Sequence, residues 1–108
     1  MIVKKFIDQK APQLAFYVRG FWDRKIPFSE LELFFWDTME EWNQHKFQHD
    51  LPYSQKERVF WHVLHQTHYW PEQTLLTNQH LIDELSVCLT FLQDEASYCP
   101  LDCIGIRP

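Results

Sequence analysis

The stretch SQKERVFWHVLHQTHYW, residues 54–70, decides the fold class, because it predicts a long helix with two unusual faces. Ser54 and Glu57 form the S-x-x-E pattern of a capping box at its start, and Pro71 ends it. At 100° per residue, one side carries the residues of a core-facing helix: Val59, Phe60, Val63, Leu64, Thr67 and Trp70. The other side, where Lys, Glu and Gln are usual, carries Trp61, His62, His65, His68 and Tyr69.

The first part of the chain, up to Gly20 and Phe21, also shows helical spacing of apolar residues. In the first helix these residues are Ile2, Val3, Phe6, Ile7, Leu14, Val18 and Phe21. Pro12 lies among them and predicts a kink or a break in the first helix, because proline lacks the backbone N–H and clashes with the preceding turn. Gly20 is predicted to follow the helix end, a position where glycine is common.

Two further helices are predicted, one on each side of the 54–70 stretch. The second helix begins with another S-x-x-E pattern at Ser29, and its core face is Leu31, Phe34, Phe35, Thr38 and Trp42. The last helix is predicted to be capped by Thr77, and its core face is Leu81, Ile82, Leu85, Cys88, Leu89 and Leu92. Val87 and Phe91 lie one turn apart on the opposite side of that helix.

These patterns predict an all-α fold, a compact bundle of four to five helices in one domain. The domain covers residues 1–97, and residues 98–108 are predicted to be an extended C-terminal tail on or near it, because they contain two prolines, a glycine and no periodicity. Alternation typical of β-strands is nearly absent, so no sheet is expected.

Composition and charge argue against several functional classes. Two glycines in 108 residues are too few for a glycine-rich phosphate loop. Residues 1–25 carry six bases and two acids (net +4), and residues 26–108 carry four bases and thirteen acids (net −9), which gives the overall −5. The acidic body should repel a phosphate backbone, so we expect no nucleic-acid partner. The basic first segment is expected to dock on the acidic body or on another acidic surface.

The three cysteines, Cys88, Cys99 and Cys103, predict reduced thiols in a cytoplasmic protein, because an odd number does not suit a disulfide framework. The first residues lack the apolar run of a signal peptide, and no apolar run is long enough to span a bilayer, so we expect no membrane association. No pattern joins a cysteine to a histidine base or pairs two carboxylates, so no enzyme and no cofactor are predicted.

Metal binding is the alternative function that the sequence leaves open. Spacing of three residues spreads His62, His65 and His68 around the helix, so at most one neighbouring pair can share an ion. Candidate ligands are therefore the pairs His45/His49 or His62/His65, combined with Cys99/Cys103 of the tail. The spacing of Cys99 and Cys103 fits a C-x₂₋₄-C pattern loosely and His45/His49 can share one ion, but known zinc sites normally show tighter signatures within one short module.

The function favoured by the sequence is a small cytosolic accessory or regulatory protein-interaction module without its own catalysis, acting with a protein partner or as a homodimer. Aromatic residues on an outward helical face are typical of interfaces. The predicted interface residues are Trp61, His65 and Tyr69, accompanied by Trp36, Val87 and Phe91. Cover of the same face by another part of this chain is the alternative, and the sequence does not choose between them.

Overall fold

A computed structural model describes residues 2–45, 51–95, 97–100 and 102–108 of the chain. These residues form the helices α1 (Val3–Trp22), α2 (Phe28–Gln44), α3 (Gln55–Tyr69), α4 (Glu72–Thr77) and α5 (Gln79–Gln93), and no strand occurs among them. The predicted all-α bundle is therefore confirmed. The short helix α4 lies between the two helices that the sequence predicted on either side of Pro71.

Helix α1 lies at the centre of the bundle, since it packs against α2, α3 and α5, and α3 also packs against α5. The buried face of α1 repeats at helical spacing: Val3, Phe6, Ile7, Lys10, Ala11, Leu14, Ala15, Val18 and Phe21. The radius of gyration is 13.3 Å, close to the roughly 13 Å of a compact chain of this length. No helix of the described residues has the length and apolar character that crossing a membrane would need.

The break predicted near Pro12 does not occur, because α1 runs as one helix from Val3 to Trp22. The side chain of Pro12 is exposed, whereas its neighbour Ala11 is completely buried. Burial of the opposite face stabilises α1 and offsets the roughly 3 kcal/mol that an interior proline costs a helix. Whether α1 bends at this residue stays a prediction. Gly20 lies inside α1, so its predicted place after the helix end is wrong.

The two S-x-x-E patterns have different outcomes. Ser54 is the N-cap of α3, and its hydroxyl accepts a hydrogen bond from the backbone N–H of Glu57 at 3.1 Å, as predicted. Ser29 is not a cap, because α2 begins one residue earlier, at Phe28, after Pro27. Thr77 ends α4 and does not cap α5.

The cap of α5 is the next residue, Asn78, whose side-chain oxygen accepts from the backbone N–H of Leu81 at 3.0 Å. The core faces predicted for α2 and α5 are nevertheless correct, apart from Ile82, which is half-buried. The position of an apolar face is thus less sensitive than a cap to a shift of one residue in the start of a helix.

The C-terminal residues lie directly against α3. A Cβ atom at Gly105 would come within 2.3 Å of the backbone nitrogen of His62 and 2.4 Å of the carbonyl oxygen of Arg58. Only glycine fits at such a close backbone approach. The guanidinium of Arg107 forms a bidentate ion pair with the buried carboxylate of Glu57, in which its Nη2 lies 2.8 Å from Glu57 Oε1. The tail therefore covers part of the α3 face that carries Trp61.

Candidate functional site

The structure divides the predicted interface residues into buried and exposed ones. Trp61 is 0% exposed and Phe91 is 5% exposed, so neither offers a surface to a partner in this fold. Trp36, Tyr69 and Val87 are exposed, at 58%, 73% and 41%. For Trp61 and Phe91 the alternative of cover within the chain is the one observed.

Trp61 is covered by aromatic rings from two other helices. Its ring centroid lies 6.4 Å from that of Phe6 and 5.0 Å from that of Trp42. Its indole N–H donates to the Glu57 carboxylate at 2.9 Å, which satisfies the only polar group of the side chain. The helical wheel places Trp61 on the side of α3 that should face solvent. In the fold, α1, α2 and Gly105 cover that side, so Trp61 lies in the core.

His65 and His68 make structural contacts. His65 is half-buried, and its Nε2 lies 3.2 Å from the carbonyl oxygen of Ile106, to which it donates because a carbonyl only accepts. The ring of His68 stacks on Phe35 with centroids 3.8 Å apart, and its Nδ1 lies 3.1 Å from a Glu32 carboxylate oxygen. Both imidazoles fix α3 to a neighbouring segment.

One exposed surface of α2 combines aromatic, aliphatic and acidic side chains. We call it the α2 outer face; it consists of Glu30, Leu33, Trp36, Asp37 and Glu40, all of which are exposed. Leu33 is 51% exposed and Trp36 is 58% exposed. These positions lie three or four residues apart and so share one side of the helix.

Trp36 is held in place although it is exposed. Its ring packs edge-on against Phe35 at 5.1 Å and against His68 at 5.3 Å between centroids. Tyr69, which follows His68 on α3, is also exposed, and its ring packs against Trp70. An aromatic side chain fixed in this way loses little conformational entropy when a partner covers it.

The electrostatics of α2 are strongly negative. The helix contains five acidic residues and no Lys, Arg or His. Two of the acids pair with other helices: Glu32 with His68 at 3.1 Å, and Glu41 with Lys10 at 2.7 Å. Within the described residues the other three, Glu30, Asp37 and Glu40, have no cationic side chain within 4.0 Å. Among the described residues, carboxylates without a cationic partner therefore lie beside Leu33 and Trp36.

The ligand sets proposed for a metal from sequence do not assemble as predicted. His49 lies outside the described residues, and His45 is the residue at which α2 ends. His65 is bonded to the tail backbone, and half-buried Cys99 packs against the hydrophobic core. A different set does come together: His62, Cys88 and Cys103 have ligand atoms within 4.8 Å of one another.

The thiols of Cys88 and Cys103 form a hydrogen-bonded pair. Their sulfur atoms lie 3.6 Å apart, and both residues are buried. The hydrogen bond to Cys103, together with burial, raises the pKa of Cys88 far above its ordinary value. The same hydrogen bond lowers the pKa of Cys103, against the effect of burial. Sequence reasoning placed Cys88 correctly on the core face of α5 but interpreted it as a small apolar residue, because nothing in the spacing showed that Cys103 would pack there.

A cavity of about 530 Å³ lies between α1, the start of α3 and the tail. Apolar residues such as Ile7 and Phe91 line it. Lys56 at its rim bonds Asp8 at 3.0 Å and Glu95 at 3.1 Å. The hydrogen bond from Lys4, together with Lys56, holds the pKa of Asp8 below its ordinary value of 3.8. The described lining residues include no cysteine or histidine, so this cavity does not bring a thiol and an imidazole together.

Comparison of the chain with protein-family models, with curated proteins and with solved structures finds no match.

Proposed function

We propose that the chain is a protein-interaction module whose docking surface is the α2 outer face. The observation that carries the proposal is Trp36, a large aromatic side chain that is more than half exposed yet held by edge-to-face contacts with the stacked rings of Phe35 and His68. Exposed, preorganised tryptophans are frequent hot spots of interfaces, because they bury a large area at a small entropic cost.

The partner that fits this surface is a basic amphipathic helix. Its apolar side chains would cover Leu33 and Trp36, and its Lys or Arg residues would pair with Glu30, Asp37 and Glu40. Recognition of a helix through apolar anchors at helical spacing, with charges beside them, is a common mode of binding. The uncompensated carboxylates would also accelerate association with a cation-rich partner.

Charge argues against a homodimer in which two α2 outer faces meet. Such a dimer would place the carboxylates of one helix against those of its copy, and like charges in an interface cost free energy. We therefore favour a different protein as the partner over the homodimer that the sequence left open. The same repulsion disfavours a nucleic acid.

The proposed module has no catalytic activity of its own and acts in the cytoplasm. Two observations support these points: the α2 outer face carries carboxylates without a histidine, thiol or hydroxyl nucleophile, and the three cysteines are free thiols.

The experiment measures binding of a synthetic Leu/Lys peptide with leucines at i, i+3 and i+4 spacing, by isothermal titration calorimetry at low and high salt. The control peptide has the same composition in an order that forms no apolar face. Trp36→Ala should weaken binding about tenfold or more, the effect of a hot spot. Phe16→Ala is the matched control, because Phe16 is 66% exposed on α1 and should leave the affinity unchanged.

A second pair of variants separates the charges from the apolar anchors. Changing Glu30, Asp37 and Glu40 to their amides should weaken binding and reduce its salt dependence. Changing the exposed acids Asp23, Glu72 and Asp83 alters the net charge equally and should have little effect. Equal affinity for both peptides, or binding that does not depend on Trp36, would show general charge attraction and contradict the proposed interface.

A further inference from the structure

We propose that His62, Cys88 and Cys103 form a zinc site, with Glu84 as the fourth ligand. The site lies where α3, α5 and the tail meet, so each of these three segments contributes at least one ligand. This inference is independent of the α2 outer face, and it revises the ligand sets that sequence spacing suggested.

The distances fit one tetrahedral ion. Two sulfurs that each lie about 2.3 Å from a tetrahedral zinc are about 3.8 Å apart. The sulfurs of Cys88 and Cys103 lie 3.6 Å apart, and the imidazole nitrogen of His62 lies within 4.8 Å of both. A covalent disulfide would need about 2.05 Å between the sulfurs, so the observed separation is that of two thiols that can face one ion.

His62 gives an independent indication of a ligand. Its Nε2 atom is buried and has no hydrogen-bond partner. The nearest carboxylate oxygen, on Glu84, is 3.6 Å away, which is too far for a hydrogen bond, although it is within the range of an ion pair. A buried polar atom is normally satisfied, and a metal ion held together with the two neighbouring thiols would satisfy this nitrogen.

Glu84 decides both the metal and the type of site. It lies one helical turn before Cys88 on α5, its side chain is 47% exposed, and one of its carboxylate oxygens lies 3.6 Å from His62 Nε2. Its oxygens are not among the ligand atoms that lie within 4.8 Å of one another, so the Glu84 side chain would have to turn toward the sulfurs to close the cluster on the solvent side. Two thiolates, one imidazole and one carboxylate suit four-coordinate Zn²⁺, whereas a hard carboxylate is a poor ligand for Cu(I). With four protein ligands no position is left for water, so the site is structural and not catalytic.

The ion would fasten the tail to the bundle. Cys103 precedes Gly105, which lies against the α3 backbone, and Arg107, which bonds Glu57. The ion would therefore help to keep Trp61 covered, and its removal should loosen the tail before it affects the helices. Metal binding of this kind contributes directly to folding stability.

The test uses the full chain purified without chelator and reconstituted with zinc, and it measures bound metal by native mass spectrometry. We expect about one zinc per chain. The Co²⁺-substituted protein should show thiolate-to-cobalt charge-transfer absorption together with tetrahedral d–d bands. A chelator should lower the melting temperature and make the tail sensitive to protease.

Cys88→Ala, Cys103→Ala and His62→Ala should each weaken zinc binding by about tenfold or more, because even the loss of an outer partner has that effect. Cys99→Ala and His65→Ala are matched controls and should keep the metal. If circular dichroism shows that Cys88→Ala is unfolded, zinc binding by Cys103→Ala in the tail and by Glu84→Gln at the surface still tests the proposed site. A wild-type chain that takes up no zinc or cobalt, or a Cys103→Ala variant that binds zinc as the wild type does, would show a simple thiol pair and overturn the inference.

Discussion

Replacing Arg107 with alanine should destabilise the protein far more than a residue near the end of the chain usually does. The side chains of Arg107 and Glu57 are 4% and 3% exposed, and they form a bidentate ion pair. In Arg107→Ala the Glu57 carboxylate stays buried, with the Trp61 N–H as a remaining donor. Removing one member of a buried pair costs about 3–5 kcal/mol, a large part of the roughly 5–15 kcal/mol total of a domain.

The assay is urea unfolding followed by tryptophan fluorescence. With an m-value of about 1.5 kcal/mol/M, a loss of about 3 kcal/mol lowers the midpoint by about 2 M urea. Arg58→Ala is the matched control. The guanidinium groups of Arg58 and Arg107 lie over the same Tyr53 ring, at 5.7 Å and 4.2 Å from its centroid, but Arg107 is buried whereas Arg58 is exposed. Its loss should cost less than about 1 kcal/mol.

A double variant tests the physical cause. Arg107→Met combined with Glu57→Gln removes both charges and keeps side-chain volume, so it should recover most of the stability lost in Arg107→Ala. Two results would refute the reasoning: an Arg107→Ala variant no less stable than Arg58→Ala, or a double variant as unstable as the single one. Either would mean that the stranded charge of Glu57 is not the source of the cost.

Three further predictions concern backbone and cap positions and pH. Gly105→Ala should lower the melting temperature strongly, because the added Cβ meets backbone atoms of α3. Gly20→Ala should cost less, because the added Cβ meets side-chain atoms of Ile26 and no backbone, and the alanine gains up to about 1 kcal/mol of helix propensity. Ser54→Ala should cost about 1 kcal/mol in urea unfolding, whereas Ser29→Ala should cost almost nothing, because only the first hydroxyl caps a helix. The folded-state pKa of Asp8 lies below 3.8, so its contribution to stability is present above that pH and is lost as the pH falls through the lowered pKa. Asp8→Asn should therefore be less stable than the wild type at neutral pH, and the two should converge well below pH 3.8. A constant difference between them would contradict this assignment.

Much of the fold could be predicted because it depends on local periodicity. The core face of α2, including Phe35 and Trp42, follows from spacing alone, and so does the start of α3 at Ser54. The start of α2 was wrong by two residues, since its N-cap is Pro27 and not Ser29. A cap depends on backbone geometry that two similar S-x-x-E patterns do not distinguish. Of the kink or break predicted at Pro12, the break does not occur, because packing of the opposite face of α1 outweighs the local cost of proline, and the kink stays a prediction.

The candidate sites were less predictable. A helical wheel gives the direction in which Trp61 points but not which element lies there, and only the fold places α1, α2 and Gly105 over it. Trp36 is exposed, as its place in the sequence indicates. It lies between the polar and apolar faces of α2, and the position of a residue relative to those faces follows from local spacing. The cluster of His62, Cys88 and Cys103 had no sequence signature, since its members are separated by 26 and 15 positions in the chain.

By itself, the sequence determined that this chain is helical, which side of each long helix is apolar, and that the body is acidic. These properties depend on neighbours within a few turns, where backbone geometry fixes the spacing. The tertiary structure alone decided that the tail lies along α3 and that Glu57 is buried with Arg107. It also decided that the ligand atoms of two thiols and an imidazole lie within 4.8 Å of one another. Such contacts join residues far apart in sequence. The hydrophobic effect that brings them together is non-directional and depends on the apolar area that is buried, so the spacing of residues along the chain does not reveal which of them will meet.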